Sequence, residues 1–456
     1  MNKKENKISK EIKINKKSAR RNHSNQTGIT LIALVVTIVV LLILAGVSLN
    51  AIFSENGLIQ KTKDAQNKMD EATQNDLDSI NELNNWIDGK TNGSTGGNTT
   101  GGNTTGGDDN PSTTPKISTL IGTVVDKNTK AEDAYGNKIT IPKGFKILEH
   151  NPTSSTGAVT YNYTNSEETG EHIPAVQDGI VIENGTDGNQ FVWVPVGTIN
   201  NKSGDSRGAT STITLGRYEF DSDTGALKST TPAQVASVEN CTQTVTIGGN
   251  FQELSTSRIS SSSSENTTAR NLSEFISTTL ANGGYYIARF EASKNTTTNK
   301  IESQYDKTVL AETTQPDAAK LAREMYGEVK ENNELVYASD LVNSYAWDTA
   351  IIFIQTYSTE TDASSYASKN KSTSRVNTGK NNDKYCNIWD MSGNAYEWTT
   401  EYSTYSLNSV FRPCVTRGGY YFAVDGEAIY FTSDRGDILT TLSDGFLGLR
   451  PLLYAK

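Results

Sequence analysis

Cysteine and histidine, which supply most protein nucleophiles, general bases and soft-metal ligands, are scarce in this chain. Its 456 residues contain only three of each. The six positions are Cys241, Cys386, Cys414, His23, His150 and His172. They form no recoverable Ser-His or Cys-His pair, and they are too few for a disulfide scaffold or a Cys/His zinc module. Carboxylates are plentiful, but no pair stands out by its spacing. The residue types therefore give little support for catalysis.

The most specific pattern in the sequence is the run Asn387-Ile-Trp-Asp-Met-Ser-Gly-Asn-Ala-Tyr-Glu-Trp398. Five further phrases occur in a fixed order: Phe191-Val-Trp-Val-Pro195, Gly284-Tyr-Tyr-Ile-Ala-Arg-Phe-Glu291, Ala346-Trp-Asp-Thr-Ala350, Arg417-Gly-Gly-Tyr-Tyr421 and Gly448-Leu-Arg-Pro451. Together they resemble the formylglycine-generating enzyme (sulfatase-modifying factor) family. The resemblance covers residues 191–456 and implies a variant of the C-type lectin fold.

This resemblance implies a structural calcium ion beside Glu397. In the family, a GNxxEW turn binds calcium through backbone carbonyls and the glutamate. The corresponding ligands in this sequence are the carbonyls of Gly393 and Ala395 and the carboxylate of Glu397. Calcium takes 6–8 oxygen ligands, and an oxygen-rich turn closed by a carboxylate suits it. The alternative is an ordinary hydrogen-bonded turn.

The family's chemistry depends on two cysteines downstream of the RGG phrase, which hold copper and engage the substrate thiol. Counted from Arg417, these positions fall on Ala423 and Ala428. Alanine offers neither a thiolate nor a soft-metal ligand, so we expect no copper and no catalysis. Cys386 and Cys414 flank the core motif, either as a disulfide or as two inert buried thiols.

Residues 420–434 combine tyrosines with small and acidic residues (YYFAVDGEAIYFTSD). Tyrosine provides a large contact area at low entropic cost, which is typical of adaptable binding surfaces. In the family, this segment borders the substrate groove. We expect it to contact a protein or glycan ligand through Tyr420, Tyr421, Asp425, Tyr430 and Asp434. The alternative is an alternating core strand, and in either case we expect Phe422, Val424, Ile429 and Phe431 to face inwards.

The N-terminus has the pattern of a membrane-inserted precursor. Residues 1–28 contain nine Lys/Arg and two acidic residues, a net charge of +7. The apolar run Ile29–Leu49 follows, and its 21 residues are enough for a helix that spans a bilayer with the basic flank on the cytoplasmic side. The boundary Thr27-Gly28-Ile29-Thr30-Leu31-Ile32 resembles the class III signal of type IV prepilins. The resemblance implies a prepilin peptidase that cuts after Gly28 and methylates Ile29.

One position departs from the pilin pattern. Pilins usually carry Glu at the fifth mature position, where this sequence has Ala33. In the family, that carboxylate pairs with a neighbouring subunit's N-terminal ammonium, and an unpaired charge inside a membrane is costly. A subunit at a filament tip has no subunit ahead of it. The departure favours a minor or tip pilin that contacts other pilin subunits, or an anchor that never polymerises. A plain uncleaved signal anchor is the alternative.

The segments that would display the ligand-contacting residues outside the cell follow one another along the chain. We predict a leader (1–28), a transmembrane and pilin-like helix (29–88), a Gly/Asn/Thr-rich flexible linker (89–115), a β-rich lead-in (116–190) and the lectin-like domain (191–456). The fold class is α+β. Predicted strands include Ile117–Val125, Lys138–Ile141, Phe191–Val196, Tyr285–Phe290 and Tyr420–Val424, and predicted helices are Gln315–Met325 and Ser339–Tyr357.

The sequence thus predicts a non-catalytic adhesion protein on the surface of a bacterium with a single membrane. A net charge of −10 and a pI of about 5.1 argue against nucleic-acid binding. One rival is a minor pilin with a purely structural role in assembly. The other is an active oxidase of the formylglycine-generating type.

Overall fold

A computed structural model describes residues 114–148, 175–221, 225–255, 266–358, 374–381, 384–422 and 434–456. The predicted leader with Gly28 and Ile29, the membrane helix and nearly all of the linker lie outside the described residues. Among the described helices, none has both the length and the apolar character needed to cross a bilayer.

Short strands dominate the described chain. The strands are β1 (Thr129–Glu132), β2 (Lys138–Ile141), β3 (Phe145–Ile147), β4 (Val181–Asn184), β5 (Gln190–Pro195), β6 (Gly197–Asn200), β7 (Thr210–Ile213), β8 (Gly216–Arg217), β9 (Gln234–Val235), β10 (Phe251–Gln252), β11 (Gly284–Ala288), β12 (Ser293–Lys294), β13 (Ile301–Glu302), β14 (Glu328–Glu331), β15 (Glu334–Leu341), β16 (Tyr396–Ser403), β17 (Ser406–Leu407), β18 (Val410–Phe411), β19 (Cys414–Arg417), β20 (Arg435–Ile438), β21 (Leu447–Leu449) and β22 (Pro451–Ala455). The α-helices are α1 (Ile117–Leu120), α2 (Leu272–Asn282), α3 (Gln315–Tyr326) and α4 (Ser344–Tyr357), and a 3₁₀ turn spans Val176–Asp178.

The largest sheet has seven antiparallel strands in the order β14-β15-β22-β11-β5-β4-β3. Its central strands β5, β11 and β22 are buried along their whole length. Strands covered on both faces read as continuous apolar runs, which is why Phe191–Val196 was recognisable in the sequence. Strands β3 and β4 come from the lead-in, so that segment shares its sheet with the rest of the domain.

Helix α4 packs against strands of both main sheets, including β5, β11 and β16. The Asn343 side chain caps its N-terminus by accepting a hydrogen bond from the Ala346 N–H at 2.9 Å. All but two of its residues are buried, as expected for a helix that is apolar nearly all round. It therefore brings Trp347 and Asp348 into the interior of the domain.

The second sheet brings the sequence phrases together. It has the order β10-β16-β19-β20, with β21 added in parallel to β16. Within it, Glu397 lies opposite both Arg417 and Gly448. The GNAYEW, RGG and GLRP phrases, far apart in sequence, are thus neighbours on adjacent strands.

The described elements confirm several predictions and correct others. The α+β class agrees with the many strands and few helices, and the Lys138–Ile141 strand is confirmed. The predicted strand Ile117–Val125 is wrong, because its first four residues form α1. The predicted helix Ser339–Tyr357 starts too early, since residues 339–341 belong to β15. Helix α2 was missed. In the predicted strand Tyr420–Val424, the three described residues form no strand.

Candidate functional site

The Glu397 carboxylate points into the protein core. Its Oε1 accepts a hydrogen bond from Arg450 Nε at 2.6 Å and forms an ion pair with Arg450 Nη2, also at 2.6 Å. Its Oε2 accepts from Trp347 Nε1 at 2.9 Å, and all three residues are buried. Both oxygens are thus used by a guanidinium and an indole N–H. The carboxylate does not fit the calcium-ligand role that the family resemblance assigned to it.

Hydrogen bonds hold the turn before Glu397. The Gly393 N–H donates to the Gly418 carbonyl at 2.7 Å, and both glycines have positive φ, 84° and 86°. The Ala395 N–H donates to Glu291 Oε1 at 2.9 Å, and Asn394 Nδ2 donates to Glu291 Oε2 at 2.6 Å. Burial raises the pKa of Glu291 well above its usual range, and the nearby Asp390 and Glu397 add to the rise. These bonds match the ordinary-turn alternative, which we favour over the predicted calcium site.

Asp390 is a second acidic residue of the segment that leads to Glu397. Its carboxylate accepts from the Gly379 N–H at 2.8 Å, and burial raises its pKa to about 6. Within the described ranges, no group of three or more His, Cys, Asp or Glu side chains is arranged to hold a metal ion.

A buried ion-pair network ties five elements together behind this turn. It consists of Arg217 on β8, Asp348 on α4, Glu401 on β16, Arg417 on β19 and Arg435 on β20. Arg417 and Arg435 lie directly opposite each other on neighbouring strands. Two like charges in this position repel each other unless acidic side chains compensate them. Asp348 pairs with both, at 2.7 and 2.8 Å. Glu401 pairs with Arg435 at 2.9 Å and with Arg217 at 2.5 Å.

The charges of this network are strongly coupled. Burial, with a further contribution from Arg435, lowers the pKa of Arg417 to about 10. Burial would raise the pKa of Glu401, but the surrounding guanidiniums outweigh it and lower that pKa. The Arg417 guanidinium also lies 4.1 Å from the centre of the Trp347 ring. Since Arg435 follows Asp434 directly, the network fixes the backbone where the acidic and tyrosine-rich segment ends.

Three of the predicted ligand-contacting residues meet around one aromatic cluster. The half-buried Tyr420 stacks on Tyr396, with ring centres 5.1 Å apart and planes inclined by 27°. Phe446 and Tyr421 lie 5.2 and 5.6 Å from the Tyr420 ring. We call Tyr396, Tyr420, Tyr421, Phe446 and Asp434 the aromatic face.

Asp434 joins this face through a hydrogen bond. The Tyr396 hydroxyl donates to Asp434 Oδ2 at 2.7 Å. Burial raises the pKa of Asp434, and the bond from Tyr396 partly offsets that rise. The sequence reasoning missed Tyr396 and Phe446. The only available signal was the position of Tyr396 inside the GNAYEW phrase, where an aromatic residue is more simply explained by core packing.

The remaining predicted residues of this segment have different outcomes. Phe422, expected to face inwards, is 47% exposed, so that expectation is wrong. Tyr420–Phe422 form no strand, which disfavours the core-strand alternative for these three residues. Asp425 and Tyr430 lie outside the described residues, as do Ala423 and Ala428.

All three cysteines are free thiols, so the inert-thiol alternative describes Cys386 and Cys414. Burial raises the pKa of Cys386 and raises that of Cys414 to about 12. Both side chains are therefore protonated near neutral pH, and a protonated thiol is neither a good nucleophile nor a metal ligand.

Comparison with known protein families gives a match to the sulfatase-modifying factor enzyme 1-like domain over residues 180–453. The chain belongs to this family. The sulfatase-modifying factor domain starts before the first phrase recognised in the sequence, and it includes strand β4 of the lead-in. The match ends in β22, the central strand at the C-terminus.

Other comparisons add little to the family assignment. No curated protein matches the chain. Among solved structures, CarF is 14% identical with a TM-score of 0.26, over 38% of this chain and 87% of that chain. Treponema denticola variable protein 1 is 11% identical with a TM-score of 0.24, over 59% and 96%. The U1 variant of the major tropism determinant is 11% identical with a TM-score of 0.26, over 75% and 98%.

Proposed function

We propose that this sulfatase-modifying factor domain is a non-catalytic binding module that recognises a ligand through the aromatic face. The observation that carries the proposal is the stacked Tyr396–Tyr420 pair, held beside the Asp434 carboxylate. Partly exposed tyrosines on a fixed backbone offer contact area at a small loss of conformational entropy. The hydrogen bond from the Tyr421 N–H to the Asn394 carbonyl, 3.2 Å long, links the face to the rigid turn.

The loss of the family's reactive groups supports a non-catalytic role. Alanine occupies both positions that correspond to the family's catalytic cysteines, Ala423 and Ala428. The chain's own thiols do not replace them, because Cys386 and Cys414 are protonated at neutral pH and Cys241 is buried.

The N-terminal sequence supports display outside the cell. A basic leader, Gly28 at the boundary and the apolar run Ile29–Leu49 make a pilin-like anchor, and the Gly-rich linker separates the anchor from the domain. In this proposal, a prepilin peptidase processes the chain, and the domain binds an extracellular protein or glycan from the surface of a bacterium.

The experiment compares cells that display the full chain with cells that display the double variant Tyr420→Ala/Tyr421→Ala, on protein and glycan arrays and on host-cell surfaces. We expect the double variant to lose binding, because the stacked pair is destroyed. Phe411→Ala is the matched control, since Phe411 is an exposed aromatic residue (37%) on the separate β17–β18 hairpin. Unchanged binding of the double variant to every surface would refute the proposal.

A further inference from the structure

The Asp434 carboxylate forms no ion pair within the part of the chain that the structure describes. Its hydrogen bond comes from the neutral hydroxyl of Tyr396, and no described Lys or Arg forms an ion pair with it. The charge of the Arg417 guanidinium lowers the pKa of the Asp434 carboxyl, but Arg417 forms its ion pair with Asp348. Arg435 pairs with Asp348 and Glu401, and Arg375 donates to the Gly445 carbonyl.

Among the described residues, no cation lies over the rings of the aromatic face, in contrast to rings elsewhere in the domain. Arg207 lies 4.6 Å from the centre of the Tyr357 ring, Lys380 lies 4.7 Å from that of Tyr305, and Arg417 covers Trp347. No described Lys or Arg lies over Tyr396, Tyr420, Tyr421 or Phe446 in this way. The faces of aromatic rings carry negative electrostatic potential and attract cations.

The charge of the surrounding sequence points the same way. Residues 418–434 contain three acids, Asp425, Glu427 and Asp434, and neither lysine nor arginine, so their net charge is −3. The whole chain carries −10. Net negative charge speeds the approach of a positively charged partner and disfavours an acidic one.

We infer that the aromatic face binds a basic side chain, lysine or arginine, of a partner protein, with the cation between the Tyr420 ring and the Asp434 carboxylate. The inference rests on the proposed function, because it names the ligand class of the same face. Tyr396 acts as a positioning residue: its ring supports Tyr420, and its hydroxyl orients the carboxylate.

The test selects a random peptide library on the full chain in detergent and resynthesises the selected peptides with acetyl-lysine for lysine and citrulline for arginine. We expect selected peptides to contain a basic residue. Neutralising it should weaken binding about tenfold, the order of a combined ion pair and cation–π contact. The variant Asp434→Asn should give a similar loss for the unmodified peptides, since Asn still accepts the Tyr396 hydrogen bond but carries no charge.

The matched control is Asp126→Asn, which removes one exposed negative charge without touching the face and should leave binding unchanged. If Tyr420→Ala abolishes binding but Asp434→Asn and peptide neutralisation do not, the face binds a ligand and the inference of a cation is wrong. Tyr420-dependent binding of neutral glycans with no selected peptide also overturns the inference. If Tyr420→Ala changes no binding at all, the proposed function itself fails.

Discussion

The variant Glu401→Gln tests whether the buried ion-pair network holds the domain together. Glu401 accepts from Arg217 at 2.5 Å and Arg435 at 2.9 Å, and it lies 3.9 Å from Arg417. With Asp348, it supplies the two negative charges that oppose three guanidiniums, so the network carries one excess positive charge. Glutamine keeps the size of the side chain and removes its charge, which raises the excess to two.

The expected cost follows from the burial of these groups. Arg217, Arg417 and Glu401 are fully buried, and the Arg435 side chain is 9% exposed, so water cannot solvate the uncompensated charge. Removing one partner of a buried ion pair typically costs about 3–5 kcal/mol. We expect the free energy of unfolding to fall by that amount, a large part of the stability of an ordinary domain.

The assay is urea unfolding of the full chain, followed by tryptophan fluorescence, because urea does not screen charges. The matched control is Glu334→Gln, whose side chain is 77% exposed and 3.9 Å from Lys456. An exposed pair of this kind contributes about 0–1 kcal/mol. A Glu401→Gln protein within about 1 kcal/mol of the wild type, like this control, would refute the assignment of the network as a major source of stability.

Three further predictions concern pH, calcium and catalysis. Burial raises the pKa of Glu253 from 4.5 to about 7, so the folded protein keeps this proton while the unfolded chain loses it. Relative to Glu253→Gln, the wild type should therefore lose up to about 3 kcal/mol of unfolding free energy as the pH rises from 4.5 to 7. Urea unfolding at several pH values across that range measures this loss. Parallel pH profiles of the two proteins would contradict the prediction. Because Glu397 is occupied by Arg450 and Trp347, we expect EDTA to leave the Tm unchanged, and a drop in Tm that calcium restores would show that the ion binds. With Ala423 and Ala428 in place of cysteines, the copper-supplemented protein should form no aldehyde on a cysteine-containing sulfatase peptide, and mass spectrometry of the peptide would reveal the loss of mass if it did.

Parts of the fold were predictable because local sequence and tertiary structure agree. The apolar run that begins at Phe191 becomes a central strand. The helix predicted over Gln315–Met325 has Thr314 as its N-cap and a proline in its first turn, both of which are typical of a helix start. The short apolar run that begins at Ile117 was ambiguous, since periodicity alone does not separate a short strand from a buried helical turn.

The start of α4 was misplaced for a tertiary reason. Ser339 and Asp340 look like a helix N-cap, but they pair with Leu453 and Leu452 of β22, more than 100 positions further along the chain. The Asp340 carboxylate binds the Arg323 guanidinium instead of helix N–H groups. Pairing with a central strand decided the conformation, and local sequence carries no signal of it.

The site was predictable only in part for a similar reason. The tyrosine-rich composition of residues 420–434 pointed to Tyr420, Tyr421 and Asp434, which the structure brings together. The partner of Glu397 was not predictable, because Arg450 lies 53 positions away and only the pairing of β16 with β21 brings the two together.

The proposal that this domain is a binding module displayed outside the cell is tested most directly by the intact mass of the native protein's N-terminus. We predict a polypeptide that begins at methylated Ile29 in the membrane or filament fraction. A polypeptide in the cytosol with Met1 intact would contradict the account.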